Sequence, residues 1–495
     1  MTGHRPRSTV TIDAGRVLGK LDRRVFGGFV EHLGRCIYGG IYDEGSPLSD
    51  ARGFRRDVLE LLRTLRIPVL RWPGGNFVSN YHWQDGIGPK DARPARSELA
   101  WDATESNRFG TDEFIEYCGA LGAEPYLCLN MGTGSLEEAL AWVEYCNCER
   151  RTAWADLRRR NGHDTPFGVT WWGLGNEMYG AWQVGALSAE EYVAEATRWA
   201  RAIRMLDPTA KLVSCGHSGW TDWDARVIDG LAPLVDLHSI HIYTGADDYW
   251  TDVLAPHAAE RAITTASTLL RRATYNQNLP RMPRLAYDEW NVWFREMGDG
   301  LEERYSFPDA LAVGTYLNIF VRNCAWVRMA NLAQLVNVIA PVVTTPETAV
   351  VQLIYYPFLL HSEGHLDLAV DAHVAGETVD APFEHLTRWE HHVRDLGPFQ
   401  LVDAAATVDS RHERLAVTLV NRATSLVSLE IELSHAAFSG PASLRLVTAS
   451  DRPSPLDGVA SANVDASREP AAGSRLRLEL PASSFLLLEA PIAGG

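Results

Sequence analysis

No stretch of this chain stays apolar long enough to span a bilayer, and the opening Met1-Thr2-Gly3-His4-Arg5-Pro6-Arg7 lacks the apolar run of a secretory leader. The expectation is a cytoplasmic protein with no membrane partner. Cysteine is sparse: seven residues, an odd number scattered through a long chain, with no CxxC spacing. That excludes a disulfide framework and fits a reducing compartment. Positive charge is in deficit, with 46 Lys and Arg against 63 Asp and Glu and a formal net charge of −17. A field of that sign repels phosphate backbones, so nucleic acid is excluded as a partner. The one basic run, Arg158-Arg159-Arg160, reads as a solvated helix face. Phosphate and nucleophile motifs are missing too: no GxxxxGK[ST], no GxGxxG opening a helix, no HExxH, and no Gly-x-Ser-x-Gly elbow. Cys215-Gly216-His217-Ser218-Gly219 does not match the elbow.

What is present is bulk and rhythm. The 495 residues, 46% of them hydrophobic, hold a large core and leave room for a (β/α)₈ barrel plus a smaller companion domain. Sixteen tryptophans suit sugar stacking, but as a count they are equally the packing residues of a large barrel. Residues 8–18 alternate like a strand and precede the barrel rhythm, so they are assigned to a β-domain completed by the far end of the chain. Eight apolar runs then alternate with helical periodicity: 25–30, 69–72, 125–130, 170–174, 211–215, 237–243, 284–289 and a last one within 331–337. Ser135-Leu136-Glu137-Glu138 and Ser188-Ala189-Glu190-Glu191 read as capping boxes opening two of the helices. Past residue 363 short alternating runs sit between Ser, Gly and Pro clusters, as in Arg475-Leu476-Arg477-Leu478-Glu479-Leu480. This texture predicts an antiparallel β-sandwich. The predicted organisation is an N-terminal strand (1–18) joining the sandwich, a TIM barrel (19–363) and the sandwich itself (364–495).

Barrel enzymes carry their chemistry at the C-terminal ends of the strands. Those ends supply Glu31, Asn76, Asn176, Glu177, His241, Tyr243, Glu289 and Asn337. Glu177 in Thr170-Trp171-Trp172-Gly173-Leu174-Gly175-Asn176-Glu177 and Glu289 in Arg284-Leu285-Ala286-Tyr287-Asp288-Glu289-Trp290-Asn291 each follow an apolar run. Two acids facing each other across a barrel mouth suit glycoside hydrolysis. A metal centre is the rival, with His217, His238, His241, Cys146 and Cys148 as candidate ligands. His238 and His241 are three apart on a strand and alternate to opposite faces, while Cys146 and Cys148 do not share a helix face. No metal or cofactor is expected. The polar loop from 84 to 110 leaves the same rim as Asn76 and reads as functional.

Phe29-Val30-Glu31-His32-Leu33-Gly34-Arg35-Cys36, Arg71-Trp72-Pro73-Gly74-Gly75-Asn76, Gly173-Leu174-Gly175-Asn176-Glu177 and Tyr287-Asp288-Glu289-Trp290-Asn291 closely resemble the α-L-arabinofuranosidases of glycoside hydrolase family 51, from about residue 8 onward. The resemblance implies a retaining, exo-acting enzyme that releases terminal arabinofuranose by double displacement. It implies Glu177 as acid/base and Glu289 as nucleophile, and Glu31, Asn76, Asn176, Tyr243 and Gln352 as ligands of the furanose hydroxyls. Trp101 and Trp293 resemble residues lining the leaving-group side, and the loops at 84–110 and 294–308 are where specificity is expected to vary. A homo-oligomer, often a hexamer in this family, is implied as well.

Glu177 has to hold a proton while Glu289 stays ionised, and repulsion between the two is expected to raise the acid's pKa. Asn176 and Glu177 are neighbours, so both reach one sugar only if the chain leaves regular strand geometry there. Three other readings are a β-xylosidase or endoglucanase specificity on the same barrel, a silent carbohydrate-binding protein, and a metal-dependent hydrolase.

Overall fold

The computed structural model describes residues 5–293, 301–380, 393–452 and 454–494. Residues 294–300 of the expected specificity loop lie outside them. Eight strands close into a barrel: Gly27–Phe29, Val69–Trp72, Glu124–Cys128, Trp171–Leu174, Lys211–Ser214, Leu237–Thr244, Arg284–Val292 and Val327–Ala333. Every neighbouring pair is parallel, including the closure of the eighth strand on the first. Val69, Tyr126, Trp171, Val213, Leu237, Ala286 and Met329 form an apolar plug, so the barrel is packed and chemistry is confined to its mouth.

The outer strands of the sequence reading shift. The first is short because Asp22 caps the backbone N–H of Arg24 and starts a 3₁₀ turn over Arg23–Phe26. The eighth begins at Val327 and ends at Ala333, so Gln334 and Asn337 lie beyond it. Ser188 and Glu191 cap reciprocally, as their spacing predicts. Ser135 accepts from the Glu138 backbone N–H, but the Glu138 carboxylate turns to His82, 3.1 Å away, so only half of that box forms. The basic run is not a uniformly solvated face either. Arg158 is fully buried and donates to the carbonyls of Tyr145 and Cys148, which terminate the preceding helix, Leu136–Asn147.

Around the sandwich core the N-terminal strand Arg7–Lys20 pairs antiparallel with Leu368–Gly376 and parallel with Val427–Ser434. The alternation of residues 8–14 is real: Val10, Ile12 and Ala14 point into one apolar core. Val417, Ile431, Leu444, Leu476 and Leu488 meet them there, drawn from both ends of a ten-stranded sheet that folds back on itself.

Charges join the two layers. Arg322, at the end of the barrel helix Phe307–Arg322, lies 3.0 Å from Asp403 of the sandwich and 3.0 Å from Glu260. Arg422 donates to His257 Nε2 at 2.8 Å, which requires a neutral imidazole. Burial, and then the Arg422 charge, push the His257 pKa down to about 3. A histidine depressed in the folded state stabilises above its unfolded pKa and loses that contribution as pH falls toward the folded value. The melting temperature is therefore expected to drop between about pH 6.5 and pH 3, at up to about 1.4 kcal/mol per pH unit from this group. His257→Gln keeps an acceptor for Arg422 and should show a shallower slope in pH-dependent melting curves.

Candidate active site

Two local departures from strand geometry build the mouth. After the fourth strand, Gly175 and then Glu177 take positive φ values of 79° and 43°. A non-glycine residue held there is strained, and such strain concentrates at functional positions. The turn lets Asn176 and Glu177 face the same space, and the backbone N–H of Met178 rests on Cys215 Sγ. In the seventh strand, Ala286 pairs with Ser239 but Glu289 pairs with His241, so three steps match two on the sixth strand. The same excess appears against the eighth strand, where Tyr287 faces Ala330 and Trp290 faces Leu332. This is a bulge, and bulges re-aim side chains. Tyr287 turns outward to the Ala259 carbonyl, while the adjacent acids Asp288 and Glu289 both turn inward.

The inward groups form one charged cluster beneath a cavity of about 490 Å³. Arg71, from the second strand, is fully buried and donates to Glu289 Oε1 at 2.9 Å, to the Asp288 carbonyl at 3.0 Å and to Asn176 Oδ1 at 2.6 Å. His241 Nδ1 lies 2.9 Å from Glu177 Oε1 and 3.1 Å from Glu289 Oε2, and its Nε2 lies 3.3 Å from Asp288 Oδ1. Glu177 Oε2 accepts from the indole of Trp182 at 3.0 Å. Gly75 packs so close that a Cβ there would sit 2.9 Å from Glu289 Oε1. Only glycine fits.

The electrostatics differ from the expected picture. Burial works against a charge on Glu177, but hydrogen bonding and charge from His241 overcome it and hold the carboxyl below its usual range. His241 is held well above the ordinary histidine range: burial opposes its charge, and Glu289, Asp288 and Glu177 outweigh that. The expected repulsion acts on Glu31 instead, whose carboxyl is pushed up to about 8, first by burial and then by the Glu289 charge. Burial also opposes ionisation of Asp288, yet Arg71, His241 and Tyr126 hold it down at about 2.

Glu31, Asn76, Trp101, Glu177, Tyr243, Glu289 and Trp293 all line the cavity. Trp101 is carried there by the 84–110 loop, ordered as a small hairpin of Arg96–Glu98 with Ala103–Glu105, and its indole donates to Glu31 Oε1 at 3.2 Å. The Tyr243 hydroxyl lies 3.4 Å from Glu289 Oε2, and its ring meets Trp293 edge-on. Asn176 is buried beside the cluster, with its Nδ2 lacking a partner among the described residues.

Gln352 stands apart. It is fully buried, donates to the carbonyls of Glu303 and Ala340 and accepts from the Tyr305 backbone N–H, so its amide is spent on loop structure. The glutamine at the mouth is Gln334, which donates to Glu31 Oε2 at 3.0 Å and accepts from the Glu31 backbone at 2.8 Å. Asn337 is likewise structural, tied to the Arg35 carbonyl and the Thr344 backbone. Gln334→Ala is expected to raise KM roughly 5-fold, because the Glu31 carboxyl that lines the cavity loses the amide that positions it, with little change in melting temperature. Gln352→Ala should do the reverse. Parallel kinetics and melting curves on the two variants check this.

Among the described residues, Glu177, His241 and Glu289 are the one cluster with ligand spacing, their donor atoms within 4.8 Å of one another. His238 turns away to Asp224 and Ser214, as alternation requires. No described helix is long and apolar enough to cross a membrane.

Comparison with known proteins gives the family. Residues 61–259 match the model of the α-L-arabinofuranosidase 1 domain, and residues 288–484 match that of the α-L-arabinofuranosidase C-terminal domain. Alpha-L-arabinofuranosidase C of Emericella nidulans is 48% identical over 417 residues, 81% of this chain and 82% of that protein. An intracellular exo-α-(1→5)-L-arabinofuranosidase of Halalkalibacterium halodurans is 35% identical over 88% of each chain. The crystal structure of an α-L-arabinofuranosidase–arabinose complex from Thermotoga maritima superposes with a TM-score of 0.89 at 37% identity, covering 98% of this chain and 100% of that one. With barrel, bulged acid strand and relatives in agreement over most of the length, the chain belongs to the α-L-arabinofuranosidases of glycoside hydrolase family 51, enzymes of the glycoside hydrolase class.

Proposed function

We propose that the protein is a retaining, exo-acting α-L-arabinofuranosidase that removes terminal arabinofuranose from arabino-oligosaccharides and arabinoxylan-derived oligosaccharides. The observation that carries this is the spacing of the two acids: donor oxygens of Glu177 and Glu289 lie within 4.8 Å of each other, with His241 between them. Retaining enzymes hold the pair about 5–5.5 Å apart, whereas inverting ones leave room for a water. Glu289, clamped by Arg71 on one oxygen, attacks the anomeric carbon. Glu177 delivers a proton to the departing oxygen from the hydrogen-bonded Glu177–His241 pair, then activates water to release the sugar. Asn176 Nδ2 offers a donor to the 2-hydroxyl, where contacts tighten as charge develops.

A single cavity of about 490 Å³ suits one terminal sugar plus the start of its aglycone, which supports exo action. The H. halodurans relative's name supports α-1,5-linked arabinofuranose as substrate and an intracellular setting. The homo-oligomer, a hexamer, rests on the family resemblance; light scattering on purified protein tests it. Proton NMR of the first-formed sugar tests the mechanism: the α-anomer is expected first, and the β-anomer would overturn retention. A panel of aryl glycosides separates arabinofuranosidase from β-xylosidase activity.

A further inference from the structure

The Glu177–His241–Glu289 cluster matches metal chemistry that the proposed reaction does not use. We propose that it is a reversible inhibitory site for a borderline divalent transition ion such as Zn²⁺, bound in competition with the furanoside. This rests on the reading of Glu177 and Glu289 as the reacting pair.

The donors come from three strand ends and converge without rearrangement of the backbone. His241 Nδ1 stands 2.9 Å from Glu177 Oε1 and 3.1 Å from Glu289 Oε2. A four-coordinate zinc with bonds of roughly 2.0–2.2 Å has ligand–ligand edges of roughly 3.4 Å. Two edges are thus nearly in place, and the carboxylate–carboxylate edge, within 4.8 Å, closes by side-chain rotation. The side chains of His241, Glu289 and Glu177 are only 4%, 6% and 14% exposed, and the side facing the cavity leaves a position for water.

A second observation points the same way. Asp288, 2% exposed, places its Oδ1 behind the imidazole, 3.3 Å from His241 Nε2. A carboxylate behind a histidine, fixing which nitrogen faces the ion, is the arrangement that metal-bound histidines adopt. Here the bulge that turns Asp288 inward supplies it. An imidazole with two carboxylates selects Zn²⁺, Co²⁺ or Cu²⁺ over Mg²⁺ and Ca²⁺, which prefer all-oxygen shells. The bound ion would occupy the nucleophile's lone pair and displace the proton that His241 Nδ1 holds between the two acids, so it blocks the reaction.

The test uses Co²⁺ as a spectroscopic probe and Zn²⁺ as the inhibitor. Chelator-treated protein should bind one Co²⁺ per chain with visible absorption bands, and Zn²⁺ should displace it. Zn²⁺ should inhibit an aryl arabinofuranoside assay competitively and chelator should reverse it, whereas Mg²⁺ at equal concentration should do nothing. Asp288→Asn should weaken Co²⁺ binding 10- to 100-fold, and His241→Asn should abolish the bands. In a zinc-soaked wild-type crystal the anomalous peak should lie among the three donors. That measurement needs no variant to fold. A peak elsewhere, no peak, or unchanged Co²⁺ affinity in His241→Asn would overturn the proposal. Cobalt uptake by a chain that hydrolyses no arabinofuranoside would sink only the reading of function, and an active chain that takes up no cobalt would sink only the metal site.

Discussion

Replacing Glu289 by alanine lowers kcat on the order of 10⁴- to 10⁶-fold, the range seen when a covalent nucleophile is removed. No glycosyl-enzyme accumulates with a slow activated fluoro-sugar, and mass spectrometry of the intact chain shows the unmodified mass. An adduct on the variant would assign the nucleophile elsewhere, and Glu31, across the same cavity, is the residue it would point to. The loss follows from placement: Arg71 on Oε1 and His241 and Tyr243 on Oε2 fix the carboxylate, so no neighbouring group substitutes for it. Folding is a separate matter. Arg71 keeps Asp288 and Asn176 as partners, and removing the Glu289 charge relieves the repulsion that helps push up Glu31. Melting temperature is therefore expected to hold or rise while activity disappears, which separates a chemical role from a structural one. The same change should bring the Glu31 pKa down toward the ordinary carboxylate range.

How much of this the sequence carries depends on which physics decides each residue. The barrel was legible because buried parallel strands must be apolar and helices between them must be amphipathic; Val69-Leu70-Arg71-Trp72 is a strand over those four residues. The alternation of residues 8–18 predicted a strand of the β-domain, though not that one of its two partners runs parallel. Glu177 and Glu289 were visible as acids that end apolar runs. Asp288 was not, because strict alternation sends it away from Glu289, and only the register across two neighbouring strands exposes the bulge. Arg71 was in plain view within Arg71-Trp72-Pro73-Gly74-Gly75-Asn76, and a lone charge inside an apolar strand is a signal that it meets a buried acid. Gln334 and Gln352 are both glutamines after apolar stretches, and nothing local distinguishes them. The early end of the eighth strand at Ala333 decides that Gln334 reaches Glu31. The direction of the Glu177 pKa was missed for a similar reason. Repulsion by Glu289 was foreseen, but the imidazole that bridges both acids was not.

Glu177→Ala separates the two halves of acid/base work. With a poor leaving group, such as an unsubstituted oligosaccharide, kcat/KM is expected to fall 10²- to 10⁴-fold, because no proton reaches the departing oxygen. With a dinitrophenyl arabinofuranoside the departing oxygen needs no proton, so kcat/KM should change little. Turnover should still slow, since the covalent intermediate waits for a base that is gone. Azide needs no base, and the space left beside Trp182 and His241 admits it, so added azide should restore turnover and yield an arabinofuranosyl azide of retained configuration. The pH profile adds an independent reading. The proton for the departing oxygen is shared with His241, so the alkaline limb of kcat/KM should vanish in Glu177→Ala and move to lower pH in His241→Asn. Equal losses on both substrates, or no response to azide, would remove Glu177 from its role and leave its strained, positive-φ backbone unexplained.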